Sequence, residues 1–213
     1  VILKHKSNNT FVVAVSGGPD SMALSVLSYF LMKEKKYKFF FVLVDHGIRK
    51  DSYSEAKQVY KILKSKGINL KILRNRRKIT SNIQKQARDL RYNMLVKFCK
   101  KNKAKSLLVG HHKDDQVETF LIRLSRGSGV EGLSSMSEKT KLRGGVNLIR
   151  PLLEFEKGTL SHVAKKAFGK TFNDPSNRNK RFLRTNIRQL KKILQNKGLN
   201  LEKIIQSIKN ISS

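Results

Sequence analysis

The stretch FVVAVSGGPDSMALSVLSYF, residues 11–30, decides the fold. Phe11, Val12, Val13 and Val15 form the short apolar run of a buried strand. Ser16-Gly17-Gly18-Pro19-Asp20-Ser21 breaks it, and a helical pattern follows at once over 20–35. A strand that leaves through glycines into a helix N-terminus exposes backbone N–H groups where the helix dipole favours negative charge. Gly17 and Gly18 let backbone come close to phosphate with no Cβ in the way. Ser16 and Ser21 supply hydroxyl donors, and Pro19 is tolerated in a first helical turn, where its missing N–H has no partner to lose. Asp20 is the odd member. A carboxylate beside phosphates is repulsive unless a cation lies between them, so Asp20 points to Mg²⁺. The loop is neither GxxxxGKS/T nor GxGxxG, and two glycines alone also fit an ordinary strand-to-helix turn with serine capping.

Working outward, strand patterns at 11–15, 38–45, 69–74, 106–110 and 147–150 alternate with helical patterns at 20–35, 52–66, 82–102 and 114–125. The alternation predicts an α/β fold, a parallel five-stranded sheet with helices on both faces. Ligands of such sheets bind beyond the carboxyl ends of the strands, where each polar motif of this chain begins. Residues 126–145 hold Gly127, Gly129, Gly132, Gly144 and Gly145 and read as loop with a short helix. After Pro151 strand signals cease. Residues 156–168 read as helix, 169–180 as polar loop and 181–212 as two more helices, a C-terminal helical extension.

Composition narrows the function. The 213 residues carry 46 Lys+Arg against 15 Asp+Glu, a net charge of +31. A surface this basic suits a polyanion such as nucleic acid, although a lysine-rich composition also yields solvated lysines. No apolar run is long enough to span a bilayer, and no lipid-facing amphipathic helix with Trp anchors is visible. The single cysteine, Cys99, excludes an intrachain disulfide framework and any CxxC pair, so a reducing, cytoplasmic setting is expected.

Three further clusters carry chemistry. His111 and His112 end a strand, and Asp114 and Asp115 open the next helix, where acids suit the dipole. Asp114 and Glu118 lie four apart and share a face, as do Asp115 and Thr119. Helix capping alone would explain the acids. Zinc lacks a dependable third and fourth ligand and an HExxH. Arg88 and Arg91 flank the stripe Ile83, Ala87, Leu90, Met94 and Phe98. Over 181–194, Leu183, Ile187, Leu190 and Leu194 form one stripe, with Arg181, Arg184, Arg188 and Lys192 opposite. That basic stripe is either a solvated face or a track for a phosphate backbone.

SGGPDS is similar to the SGGxDS pyrophosphate loop of the N-type ATP pyrophosphatases. Further stretches resemble one family within that superfamily, the tRNA(Ile)-lysidine synthetases. They are Val44-Asp45-His46-Gly47-Ile48-Arg49, Gly110-His111-His112-Lys113-Asp114-Asp115-Gln116-Val117-Glu118-Thr119, Arg123 to Gly129 with Gly132-Leu133, Arg150-Pro151-Leu152-Leu153, and Asp174-Pro175-Ser176-Asn177. As an ordered set they cover residues 11 to about 190. Arg184-Thr185-Asn186-Ile187-Arg188 departs from the RNxxR of some members.

The resemblance implies an adenine nucleotide α-hydrolase-like, Rossmann-like fold. It implies ATP gripped by Ser16, Gly17, Gly18, Pro19, Asp20, Ser21, Asp45 and His46, with Mg²⁺ at Asp20, with or without Asp115. It places Asp20, His111, Asp115 and Arg91 among the catalytic groups, Arg91 matching better than Arg88, and Arg181, Arg184, Arg188 and Lys192 against tRNA. The implied enzyme is a carbon–nitrogen ligase. It adenylates O2 of the wobble cytidine of the CAU-anticodon isoleucine tRNA, then joins the ε-amine of free L-lysine to C2, changing codon reading from AUG to AUA. A carboxylate or His111 would be the base for the amine. Another PP-loop tRNA-modifying enzyme, or a non-catalytic basic RNA-binding domain, is the alternative. The expected division is a catalytic domain over 1–160 and a helical extension over 161–213 completing the tRNA-facing side. Further C-terminal domains found in relatives are absent from the 213 residues, which are a minimal enzyme or part of a longer one. The implied partners are the CAU-anticodon isoleucine tRNA and free lysine, and no membrane. The sequence leaves the oligomeric state open, a homodimer among the options.

Overall fold

A computed structural model describes residues 9–75, 81–134, 136–169 and 183–212. The chain runs β1 (Thr10–Val15), α1 (Pro19–Glu34), β2 (Lys38–Asp45), α2 (Ser52–Lys64), β3 (Leu70–Arg74), α3 (Ile83–Lys101), β4 (Ser106–Leu108) and α4 (Lys113–Leu124). It continues with α5 (Val130–Leu133), β5 (Lys139–Lys141), β6 (Asn147–Ile149), α6 (Lys157–Phe168), α7 (Leu183–Asn196) and α8 (Leu201–Ser212).

The sheet order is β3-β2-β1-β4-β6-β5. All pairs are parallel except β5 with β6. The sheet therefore has six strands, not the five expected. The extra strand, Lys139-Thr140-Lys141, is exposed throughout and has no apolar alternation to betray it. Lysines on a short edge strand are a common device against edge-to-edge pairing.

Successive residues of β1 point to opposite faces, and each face builds its own core. Phe11, Val13 and Val15 pack with Met22 and Leu24 of α1, Val59 and Leu63 of α2, and Leu160 and Ala164 of α6. Val12 faces the other way, with Val42, Leu107 and Leu148 over Leu95 and Cys99 of α3. Because both faces are covered, β1 and β2 read as nearly continuous apolar runs. The expected boundary at 160 falls inside α6, whose buried residues belong to the core beneath α1. Chain order reverses between β1, which leads outward to β2, and β4 on its other side. A crevice at that point is where open α/β sheets take their ligands.

Candidate active site

The loop after β1 is held by its own serines. Ser21 Oγ donates to Gly18 O at 3.0 Å and accepts from Ser16 N and from Ser16 Oγ, both at 3.1 Å. Gly17 sits at φ +84°, a left-handed conformation that glycine adopts without strain. Pro19 is the first helical residue, as its missing N–H allows. Across the switch point, β4 exits through Gly110. A Cβ there would lie 3.0 Å from Asp20 C and O and 3.1 Å from Ser21 N. Glycine is what lets the two strand exits touch.

Asp20 therefore faces the residues that follow Gly110. Its side chain is 25% exposed, and Oδ2 lies 3.6 Å from His112 Nε2. Oδ1 is buried and accepts no hydrogen bond among the described residues. At the end of β2, Asp45 is buried, and its Oδ1 accepts from Gly47 N at 3.0 Å. His46 follows, half-buried, with its carbonyl accepting from Asn75 Nδ2 at 3.0 Å.

His112 is the hub of the crevice. It is fully enclosed at the head of α4, with Asp115 Oδ2 at 3.5 Å and Asp114 Oδ2 at 3.8 Å besides Asp20. Burial opposes its protonation, but the nearby carboxylates of Asp20, Asp115 and Asp114 outweigh it and raise its pKa. Asp115 accepts from His112 N–H at 3.2 Å, capping the helix it opens. Burial would raise the Asp115 pKa, yet the His112 and Arg184 charges and the His112 N–H bond hold it below the usual carboxylate range. His111 takes the opposite state. Burial, reinforced by Arg150, Arg184 and Arg88 against the pull of Asp115, lowers its pKa to about 4.

Helix α7 crosses α4 with its charged side inward. Arg184 donates to Asp115 Oδ1 at 2.7 Å and to Glu118 Oε2 at 2.9 Å. Arg188 donates to Glu118 Oε1 at 2.8 Å, and Lys191 pairs with Asp114. The carboxylates that act together are thus Asp115 and Glu118, i and i+3, and not Asp114 and Glu118. Of the expected apolar stripe on α7, only Ile187 is buried, while Leu183 and Leu190 are 40% and 44% exposed. The magnitudes explain the turn. Fully burying a leucine gains about 1.5–3 kcal/mol, whereas leaving a buried carboxylate unpaired costs about 3–5 kcal/mol. Two such carboxylates outrank two leucines.

Asp20 and Asp115 thus meet through His112 at the switch point, His111 lies beside Asp115 and Arg150 rather than Asp20, and Ser16, Gly17, Gly18, Pro19 and Ser21 make up the loop next to them. Of the four basic residues expected on a tRNA track, Arg181 lies outside the described residues, as does Asp174-Pro175-Ser176-Asn177. Arg184 and Arg188 face the α4 carboxylates, and Lys192 is exposed. Arg91 is exposed on α3. Its neighbour Arg88, stacked 5.0 Å over Tyr92, is the α3 arginine whose charge reaches His111 and Arg150. Sequence reasoning passed over the role of His112, the pairing of Glu118 and the burial of Arg150. Alternation at the strand end would have flagged His112, since one of two adjacent histidines must point inward.

Fold and loop together define an α/β protein built to bind nucleotide phosphates at its switch point. Residues 1–195 match the PP-loop domain, and the chain belongs to that family. It is 44% identical over 200 residues to the tRNA(Ile)-lysidine synthase of Wolbachia pipientis wMel, covering 92% of this chain and 46% of that protein. It is 38% identical over 204 residues to the tRNA(Ile)-lysidine synthase of Rhodopseudomonas palustris, covering 94% and 59%. The chain spans about half the length of the curated relatives it matches. Among solved structures, the U34-tRNA thiolase NcsA from Methanococcus maripaludis, with its [4Fe-4S] cluster, shares the fold at a TM-score of 0.77 and 19% identity, over 96% of this chain and 72% of that one.

Proposed function

We propose that this chain is the catalytic PP-loop part of a tRNA(Ile)-lysidine synthase. The observation that supports it best is the meeting of Asp20, His112 and Asp115 beside the glycine loop, with Asp20 Oδ1 buried and unbonded. Buried polar atoms ordinarily find a partner, so a carboxylate oxygen held beside a phosphate cradle fits a cation that arrives with the nucleotide. Among the described residues no group of three or more His, Cys, Asp or Glu is placed to hold a metal ion. Mg²⁺ bound by Asp20 would then take its other oxygens from phosphate and water, as it commonly does. The ion would neutralise charge on the phosphates of ATP.

The chain's own groups then divide the work. Ser16, Gly17, Gly18 and Ser21 cradle the pyrophosphate, and Asp45 and His46 at the end of β2 flank the nucleotide. Cytosine O2 is a poor leaving group. Its attack on the α-phosphate of ATP forms the O2–P bond, breaks the bond to pyrophosphate and leaves an adenylate. The deprotonated ε-amine of lysine attacks C2, and AMP leaves with the former O2. Asp115 orients the lysine ammonium, and a carboxylate or His111 takes its proton. The CAU-anticodon isoleucine tRNA and free lysine are the proposed partners and the cytoplasm the proposed compartment. No helix among the described residues is long and apolar enough to cross a membrane.

A thiolase reading fits less well. Iron–sulfur clusters are held by several thiolates, and these 213 residues contain one cysteine. Cys99 is buried in the core, and burial raises its pKa to about 12.

The test is to incubate the chain with ATP, Mg²⁺, lysine and unmodified CAU-anticodon isoleucine tRNA, then digest the RNA for nucleoside mass spectrometry. A cytidine heavier by lysine less water, formed only with both ATP and lysine, is expected. Pyrophosphate release without that nucleoside would leave adenylation standing and overturn lysine as nucleophile. Neither product would favour a non-catalytic RNA binder.

A further inference from the structure

Arg150 is only 7% exposed, and no carboxylate lies within ion-pair distance of it among the described residues. An unpaired buried charge is expensive, and burial lowers the Arg150 pKa. Its donors go elsewhere. Nη1 donates to Ser137 O at 2.6 Å and Thr140 Oγ1 at 2.8 Å, both beside or within β5, and its backbone N–H donates to Glu138 O at 2.9 Å. The remaining directed bond runs from Arg150 Nε to His111 Nδ1 at 3.2 Å.

That contact settles the ring's chemistry. A guanidinium has five N–H donors and no acceptor, so Nδ1 must present its lone pair to it. A neutral imidazole carries one proton, and which nitrogen holds it follows from the bond the other makes. We propose that Arg150 is a positioning residue that fixes His111 in the tautomer bearing its proton on Nε2, making His111 a hydrogen-bond donor to the reacting groups rather than their base. The charges that bear on the ring are Asp115 on one side and Arg150, Arg184 and Arg88 on the other. With the lowered pKa, the same tautomer persists across the neutral range.

The consequence rests on the lysine-ligation reading. With Nδ1 facing Arg150 and Nε2 already protonated, His111 has no site for the proton of the lysine amine. That proton passes to a carboxylate, and Asp115 is the one next to His111. His111 instead offers Nε2–H to an oxygen that gains negative charge, on the α-phosphate or the departing AMP. The β5–β6 hairpin gains a role as well, since Ser137 and Thr140 hold the guanidinium in place.

The tautomer is measurable without substrate. In ¹⁵N-histidine-labelled chain, two-bond ¹⁵N–¹H couplings report which nitrogen is protonated, with His111→Gln to assign the signal. The expected spectrum shows His111 protonated on Nε2 from about pH 5.5 to about 8, a window that begins about 1.5 units above its lowered pKa of about 4. A proton on Nδ1, or an imidazolium near neutrality, overturns the proposal. Arg150→Met should mix the tautomers, give the turnover profile a new acidic limb and lower kcat on the order of tenfold with KM for ATP little changed. Arg150→Lys, which keeps a donor, should recover part of kcat. An unchanged tautomer in Arg150→Met also overturns it. If Arg150→Met does not fold, the wild-type spectrum and the lysine variant still decide. Absence of lysidine in the wild-type chain would sink the ligation reading while leaving the tautomer assignment intact.

Discussion

Asp20 makes little of the folded state and, on the proposed function, much of the reaction. Its Oδ1 has no hydrogen-bond partner among the described residues, and its nearest charged neighbour is His112 at 3.6 Å. Asp20→Asn should therefore shift the melting temperature by only about 1–3 °C, because few bonds are lost. ATP-dependent pyrophosphate release should fall on the order of a hundredfold or more, because the cation site is gone. Calorimetry and a pyrophosphate assay on one preparation decide it, and a large loss of stability with normal release would remove Asp20 from the chemistry. His111 makes a prediction in pH. Its folded pKa is about 4 against an ordinary 6.5. The unfolded chain takes up a proton below about 6.5 and the folded chain does not until about 4, so this group weakens folding as pH falls through that window and not above it. His112, whose pKa is raised, acts with opposite sign and on the alkaline side. Urea midpoints from pH 7.5 to 5 should fall less steeply in His111→Gln than in the wild type. Parallel curves would mean that His111 is not held neutral.

At the scale of elements, α7 separates two accounts of one helix. Side chains of Asp115 and Glu118 are 9% and 3% exposed, and Arg184→Met leaves Asp115 without its closest cation and Glu118 with one of its two. Arg188 remains nearby, and a destabilisation near the lower end of the range for broken buried pairs, about 3 kcal/mol, is expected. Leu190→Ser should change stability by about 1 kcal/mol, since Leu190 is 44% exposed and only about half of its burial is lost. Urea unfolding of the two variants tests this, and the reverse order would restore the apolar stripe as the packing face. The helix shows why the fold was legible and its contacts were not. Period and glycine spacing reveal strands, helices and the loop between β1 and α1, because backbone geometry repeats locally. Which side of α7 turns inward depends on carboxylates about seventy residues earlier in α4, and no local pattern records them. Likewise β5 left no trace because its three residues bury nothing, and the Arg150-Pro151-Leu152-Leu153 stretch marked Arg150 without showing that its guanidinium is buried.

For the whole molecule, the question is what a net charge of +31 does. The ion pairs of α7 withdraw Arg184 and Arg188 from the basic face, so on the proposed function affinity for tRNA comes from other cations, with exposed Lys192 among them. Each cation that neutralises a phosphate releases counterions, and the logarithm of the binding constant falls with the logarithm of salt by about 0.9 per contact on duplex and about 0.7 on single strands. If about six cations engage, the slope is about −4 to −5, and affinity drops on the order of a thousandfold between about 50 and 200 mM salt. Filter binding of the isoleucine tRNA across that range measures it. Lys192→Ala should make the slope shallower by about one. Arg188→Gln should leave it unchanged, because Arg188 is bonded to Glu118 at 2.8 Å rather than to phosphate. A wild-type slope near −1 would mean that most of the charge is solvated surface, and that recognition rests on a few contacts at the sheet's switch point. A loss of slope in Arg188→Gln equal to that in Lys192→Ala would mean that α7 gives up its carboxylates when RNA binds, and the helix would then act as a charge-operated gate over Asp115.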